Sequence, residues 1–287
     1  MRSSRVQESK WWREYAELVT LFFIHGMAMG MWFVPLGSVL DGNGYGDVRI
    51  LGLAVSVKAL AFSTSGISAF ISPLVFGAIA DQRMAPVKLF RWLALATGCA
   101  MCAASTAIKL HAPPLAVVAL VQLHALFSTP TWSISTTIVF SRLGDARRQF
   151  GPIRAMATVG WVLGCIIVSA LNADRSALAG FCGTAAWMLV LAFSFTLPAV
   201  APAAPSEHLT WKQRLGLDAL SLLRQRDNLV VFLAAALYNI PLAAFYPYSP
   251  THLQRLGLTH TSAWMTLGQV TEVIAMFSLS GVLTRWR

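Results

Sequence analysis

Long apolar runs alternate with short polar segments along the whole chain. A membrane-spanning helix needs roughly 20 mostly apolar residues to cross about 30 Å of hydrocarbon, and eight runs reach that length. They lie near residues 18–40, 57–80, 89–110, 114–140, 153–172, 177–200, 229–251 and 262–284. The pattern therefore predicts an all-α polytopic membrane protein with eight transmembrane helices.

Composition and charge support this interpretation and predict an orientation. The 287 residues are 56% hydrophobic and 12% charged, whereas a soluble domain is about 25% charged. Of the 22 Lys and Arg residues, sixteen fall on the side of the N-terminus and five on the opposite side. Positive charge marks the cytoplasmic side, so we expect a multi-pass protein of the inner membrane with a cytoplasmic N-terminus. The net charge of +10 then reflects topology in the lipid bilayer, and no nucleic-acid partner is expected.

A polar connection divides the spans into unequal groups. Residues 1–200 contain six predicted spans, and residues 229–287 contain two. Between them, residues 201–228 begin as a Pro/Ala linker and continue as a predicted amphipathic helix on the cytoplasmic surface. Six spans, a linker and further spans are the layout of a transporter built from two six-helix halves. We therefore expect the second half to be truncated, the alternative being a protein that genuinely has eight spans.

Other candidate features have simple structural interpretations. Cys99 and Cys102 have CxxC spacing, but on an apolar helix they are expected to be small packing residues. His25 and His124 are expected to be hydrogen-bonded packing residues, and the glycine-rich stretch 41–47 is expected to be a turn. The sequence contains no hydrolase, transferase or metal-binding motif, so neither an enzyme nor a cofactor is expected.

Two charged residues stand out inside the predicted spans. Arg154 is the only charged residue between Phe150 and Leu171, and its guanidinium needs water, an anion or a ligand. Glu272 is the only acidic residue deep in a predicted span, and Gln269 lies one turn before it on the same face. A carboxylate at that depth is costly unless it is paired, protonated or facing a wet cavity. Arg154 could instead reach the headgroups, and Glu272 could be a satisfied structural acid.

A loop after the second span resembles a known signature. GAIADQR (77–83) is similar to the G-x-x-x-D-[RK]-x-G-[RK] loop of the major facilitator superfamily, although the later glycine is missing. The resemblance implies a gating role for Gly77, Asp81 and Arg83 and a fold of the major facilitator type.

Four further stretches resemble the nucleoside:proton symporter family. They are GMWFVPLGS (30–38), TPTW (129–132), FGPIRAMATVGW (150–161) and LGLDALSLLRQRDNLVVF (215–232). The resemblance implies substrate-binding roles for Arg154, Gln269 and Glu272, and it puts Thr158 and Trp161 on ligand-facing positions. In the seventh span, Tyr246 is among the nearest substitutes for the polar pair that family members can carry there.

These observations predict a proton-coupled nucleoside transporter that works by alternating access, with a nucleoside and a proton as its ligands. Glu272 would be the titrating group, and Trp161 would stack on the base. The Arg-x-x-x-[TC]-x-Gly-Trp pattern also resembles oligosaccharide:proton symporters, so a sugar substrate stays open. A truncated membrane subunit or ligand sensor that does not transport is the alternative of another class.

Overall fold

The computed structural model describes residues 15–50, 52–72, 75–76, 84–198, 200 and 217–285. The helices are α1 (Ala16–Phe33), α2 (Leu36–Gly42), α3 (Val57–Ser72), α4 (Pro86–Lys109), α5 (Pro114–Phe140), α6 (Ala146–Ala170), α7 (Leu178–Ser194), α8 (Arg226–Arg255), α9 (Thr261–Met265) and α10 (Leu267–Arg285). Each of the eight predicted runs overlaps helical residues. The predicted amphipathic helix overlaps a short 3₁₀ helix, Leu217–Arg224, while residues 201–216 lie outside the described part.

Two of the predicted spans are interrupted. The first divides into α1 and α2 at Val34 and Pro35, because a proline removes a backbone donor and clashes with the preceding turn. The last divides into α9 and α10 at Thr266. By contrast, α6 begins at Ala146, before the predicted boundary, because the helix continues through polar residues that an apolar criterion does not count.

Length and apolar composition qualify five helical segments of the described chain as membrane-spanning. They are Ala16–Gly42, Pro86–Lys109, Pro114–Phe140, Gln149–Ala170 and Arg226–Arg255. Two apolar helices, α3 and α7, are shorter. The chain is thus a multi-pass helical membrane protein, and the count of eight crossings stays a prediction.

One β element that the sequence analysis did not predict accompanies the helices. Strands β1 (Asp47–Ile50) and β2 (Leu53–Ser56) pair in an antiparallel hairpin, in which Val48 pairs with Val55. Gly52 has a φ of +84° between the strands, where a glycine avoids the strain of a side chain. The stretch 41–47, predicted to be a turn, runs from the end of α2 through a turn into β1.

Helices α1 and α6 pack so closely that their backbones touch. A Cβ atom at Gly26 would overlap the backbone of Ala157, and a Cβ atom at Gly160 would overlap the backbone of Phe23. Small residues let membrane helices approach until their backbones touch. This packing fixes the rotation of α6 and therefore the direction of its polar side chains.

Helix α8 is packed quite differently from the earlier helices. Its described side chains are mostly exposed, with only Pro247 and Pro250 buried, whereas α1 contributes many fully buried residues. Helices α9 and α10 lie against α6. The later helices thus cover one side of a bundle formed by α1 and α3–α7.

Polar contacts join the later helices to the bundle at the end where α2 and α6 terminate. Lys58 forms an ion pair with Asp41 and donates to Thr251 Oγ1 at 3.0 Å, and Thr251 donates to Asp41 Oδ2 at 2.8 Å. Nearby, Asp174 Oδ1 accepts the Ser262 N–H at 2.7 Å. Both clusters connect elements that are more than 80 residues apart, so they fix α8 and α9 against the bundle.

Candidate functional site

A cavity of about 410 Å³ lies between the bundle and the later helices. Its volume is within the range of small-molecule sites. Helices α1–α6 supply most of the wall, and α8 and α10 close it. The lining residues are Met29, Trp32, Phe33, Leu36, Ala61, Thr64, Ser65, Met101, Val121, His124, Ala125, Ser128, Thr129, Trp132, Arg154, Ala157, Thr158, Trp161, Tyr246, Gln269 and Glu272.

The cavity contains all six residues that the sequence analysis proposed for substrate binding. Arg154, Thr158 and Trp161 lie on one face of α6, because their spacing of four and three residues follows the helical repeat. Gln269 and Glu272 lie one turn apart on α10, which packs against α6. Tyr246 enters from α8. The structure thus brings these six side chains together in one cavity.

Arg154 and Glu272 meet across the cavity through a threonine. Arg154 Nη2 is 3.9 Å from Glu272 Oε1, which is a loose ion pair. Thr158 Oγ1 donates to the same Glu272 oxygen at 3.0 Å, and Arg154 Nη1 lies 3.5 Å from Thr158 Oγ1. The side chains of Arg154 and Glu272 keep 24% and 36% of their surface exposed, so both can contact a ligand in the cavity.

Three aromatic rings form the wall beside these polar groups. The ring centroids of Trp161 and Tyr246 are 6.0 Å apart, and Phe33 packs edge-on against Tyr246 at 5.1 Å. Gln269 Nε2 donates to the Tyr246 hydroxyl at 3.4 Å. A flat ring could stack against these aromatic side chains while its polar edge meets the arginine and the carboxylate.

A second group of site residues was missed by the sequence analysis. Trp132 lies under the Arg154 guanidinium, whose Cζ atom is 4.8 Å from the ring centroid. His124 and Ser128 also line the cavity from α5. For His124 and Ser128 a signal existed in the sequence, because His124, Ser128, Thr131 and Ser135 repeat at spacings of four, three and four residues, which marks one polar face of an apolar helix.

The two histidines are hydrogen-bonded inside the bundle, as predicted. His25 Nε2 is 3.0 Å from Thr131 Oγ1, and His124 Nδ1 is 3.3 Å from the Thr97 carbonyl oxygen. Of these, only His124 faces the cavity. Both are buried.

Other candidate residues lie away from the cavity or outside the description. Cys99 and Cys102 are free thiols. Cys99 is exposed on the surface of α4, whereas the sequence analysis predicted a packing residue. The reason is that an apolar residue on a membrane helix can face lipid as well as protein. The loop residues Gly77, Asp81 and Arg83 lie outside the described residues. Within the described residues, no group of three or more His, Cys, Asp or Glu side chains is arranged to hold a metal ion.

The chain resembles known transporters in sequence and in fold. YegT of Escherichia coli (strain K12) is 30% identical over 278 residues, which are 92% of this chain and 61% of YegT. The xanthosine permease of the same organism is 24% identical over 284 residues, which are 94% of this chain and 65% of the permease. The chain therefore spans 61% to 65% of the length of these relatives.

The fold matches two crystal structures of the nucleoside transporter NupG, one of them a mutant. The TM-scores are 0.78 and 0.73, at 22% and 21% identity. The matches cover 95% of this chain and 69% and 68% of the NupG chains. The family model for nucleoside H⁺ symporters, which are transporters and not enzymes, matches residues 14–287. This chain accordingly belongs to the nucleoside H⁺ symporter family.

Proposed function

We propose that the chain takes part in proton-coupled nucleoside transport, by alternating access in a fold of the major facilitator type. Family membership supports the substrate class and the proton coupling. The observation that carries the proposal is the cavity in which Arg154, Thr158 and Glu272 meet beside Trp161 and Tyr246. A nucleoside needs both parts of such a site, because its base is flat and aromatic and its ribose is rich in hydroxyls.

Each side chain would have a distinct role toward a nucleoside. Trp161 would stack on the base, with Tyr246 closing the other side of the aromatic wall. Arg154 and Gln269 would donate hydrogen bonds to oxygen and nitrogen acceptors on the base edge. Thr158 and Glu272 would bind the ribose hydroxyls, since a carboxylate accepts hydrogen bonds from hydroxyl donors.

Proton coupling would depend on Glu272. This carboxylate has two partners from α6 and one open side toward the cavity. Protonation would remove its charge and weaken its attraction to Arg154, while converting one oxygen from an acceptor into a donor. Binding of a proton and binding of a nucleoside at shared groups would thereby influence each other.

The orientation belongs to the same proposal. The sixteen Lys and Arg residues on the side of the N-terminus favour a cytoplasmic N-terminus at the inner membrane. The ion-paired cluster of Asp41, Lys58 and Thr251 would then lie at the outer end of the bundle. The contacts of this cluster would break and form again during alternating access.

A binding experiment with the purified chain tests the proposal. We expect labelled uridine to bind in detergent, to bind at least about tenfold more weakly to Arg154→Ala because a charge-assisted donor is lost, and to bind normally to Arg49→Ala, which changes an exposed arginine of the hairpin. A disaccharide in excess should not displace uridine. Displacement by the disaccharide would favour a sugar symporter, which the Trp161 indole also suits, and the absence of nucleoside binding would contradict the proposal.

A further inference from the structure

Trp132 is placed to hold the Arg154 guanidinium. The arginine Cζ atom lies 4.8 Å from the centre of the indole ring, well inside the distance of about 6 Å at which a cation over a tryptophan face is attracted. Both side chains line the cavity. The indole contact therefore acts where the guanidinium would meet a ligand.

The indole is itself held in place from the side of α1. His25 packs edge-on against Trp132 with ring centroids 4.9 Å apart, and Phe22 packs against it at 5.8 Å. His25 is anchored in turn by its hydrogen bond with Thr131, the residue that precedes Trp132. A ring fixed on two sides presents its face to the arginine at a small entropic cost.

The polar contacts of Arg154 are long in comparison. Glu272 lies 3.9 Å away and Thr158 lies 3.5 Å away, which is at the limit of a hydrogen bond. Moreover, Trp132 and Arg154 both belong to the bundle, on α5 and α6, whereas Glu272 belongs to α10 beyond the linker. A movement of α10 would lengthen the ion pair and leave the indole contact unchanged.

We infer that Trp132 is a positioning residue for Arg154, which keeps the guanidinium in the cavity when Glu272 is protonated or has moved away. The inference rests on the proposed function insofar as the ligand is a nucleoside. The position of the arginine is then independent of the group that titrates. Nucleoside affinity should therefore depend on Trp132 through Arg154, and direct stacking of Trp132 on the base should contribute little.

A measurement without ligand tests the contact itself. In the full chain labelled with ¹⁵N-arginine, the guanidinium resonance of Arg154 is assigned by its absence in Arg154→Lys. Ring currents of the indole should shift the guanidinium protons of Arg154 upfield, and Trp132→Leu should abolish this shift. Trp132→Phe should retain part of it, and Glu272→Gln should leave it in place. Trp92→Leu, at a tryptophan exposed on α4, is the matched control and should change nothing. A resonance in the parent chain without an upfield shift, or one that Trp132→Leu leaves unmoved, would overturn the inference.

A double-mutant cycle tests the effect on binding. Trp132→Leu should weaken uridine binding about five- to tenfold in the parent chain, in line with a partly desolvated cation–π contact. In the Arg154→Gln background the same change should have almost no effect, and Trp132→Phe should restore most of the affinity. Equal losses in both backgrounds would show that Trp132 contacts the base or supports the fold, and the inference would fail. If the parent chain binds no uridine, the proposed function fails, and the ligand-free resonance still decides the role of Trp132.

Discussion

Replacement of Glu272 by glutamine should separate nucleoside binding from its dependence on pH. The amide oxygen of glutamine can still accept the hydrogen bond that Thr158 donates at 3.0 Å, and the size of the side chain is retained. Only the negative charge and the titration disappear. We therefore expect the affinity of Glu272→Gln for a nucleoside to stay nearly constant as the pH changes.

The geometry limits how much affinity and stability the substitution can remove. Two unit charges about 4 Å apart attract by about 4 kcal/mol at an effective dielectric constant of about 20. Arg154 and Glu272 keep 24% and 36% of their side-chain surface exposed, so water screens the pair. Exposed ion pairs are worth about 1 kcal/mol or less. Loss of the ion pair should therefore lower the free energy of unfolding by about 1 kcal/mol or less. Hydrogen bonds to a charged group are worth roughly 1 kcal/mol more than neutral ones, so an amide that still accepts from ribose hydroxyls should lower nucleoside affinity by about tenfold or less.

Arg154 substitutions should have a different and larger effect. Arg154→Ala removes a charged donor, worth about 1.5–3 kcal/mol or roughly ten- to a hundredfold in affinity, and it leaves Glu272 without its cation. Arg154→Lys should restore binding only in part, because an ammonium group does not reproduce the planar fork of a guanidinium. Substitution of Arg154 should therefore change mainly the affinity for a nucleoside, and substitution of Glu272 should change mainly the pH dependence of binding.

The assay is nucleoside binding to the purified chain between pH 5 and pH 8. If one proton is linked to binding, the dissociation constant of the parent changes by up to about tenfold per pH unit where that proton titrates. The profile of Glu272→Gln should be flat. Glu17→Gln, which alters an exposed glutamate near the start of α1, is the matched control and should keep the profile of the parent. A Glu272→Gln chain with an unchanged pH profile would show that Glu272 is not the coupling acid.

Four further predictions concern topology, stability and transport. A tag after Arg287 should be cytoplasmic and a tag beside Asp174 should be external, so protection of the latter from an external reagent in intact cells would refute the eight-span interpretation. Lys58→Met should leave Asp41 without its cation and lower the free energy of unfolding by about 1–3 kcal/mol, and an unchanged denaturation midpoint would contradict this. Asp174→Ala should remove the acceptor of the buried Ser262 N–H and cost a similar 1–3 kcal/mol or so, which thermal melts can measure against the parent chain. Finally, because α8 is mostly exposed on the bundle, the 287-residue chain alone should bind nucleoside but not concentrate it; gradient-driven uridine accumulation in proteoliposomes would show otherwise.

Features that depend on neighbouring positions within one helix could be predicted from the sequence. The eight apolar runs anticipated where helices occur, because burial in lipid requires a continuous apolar segment. The shared face of Arg154, Thr158 and Trp161 follows from the helical repeat, as does that of Gln269 and Glu272. The hairpin of β1 and β2 was missed because its strands have only four residues each, too few for an alternating pattern to stand out.

Relations between distant helices required the tertiary structure. Nothing near Trp132 in the sequence indicates that its indole lies under Arg154, on the next helix. Likewise, the hydrogen bond between Thr158 and Glu272 joins residues 114 positions apart. These contacts depend on how α6 is rotated against α1, and that rotation is set by backbones meeting at Gly26 and Gly160. A helix's periodicity defines which residues share a face, but close packing with other helices determines what that face meets.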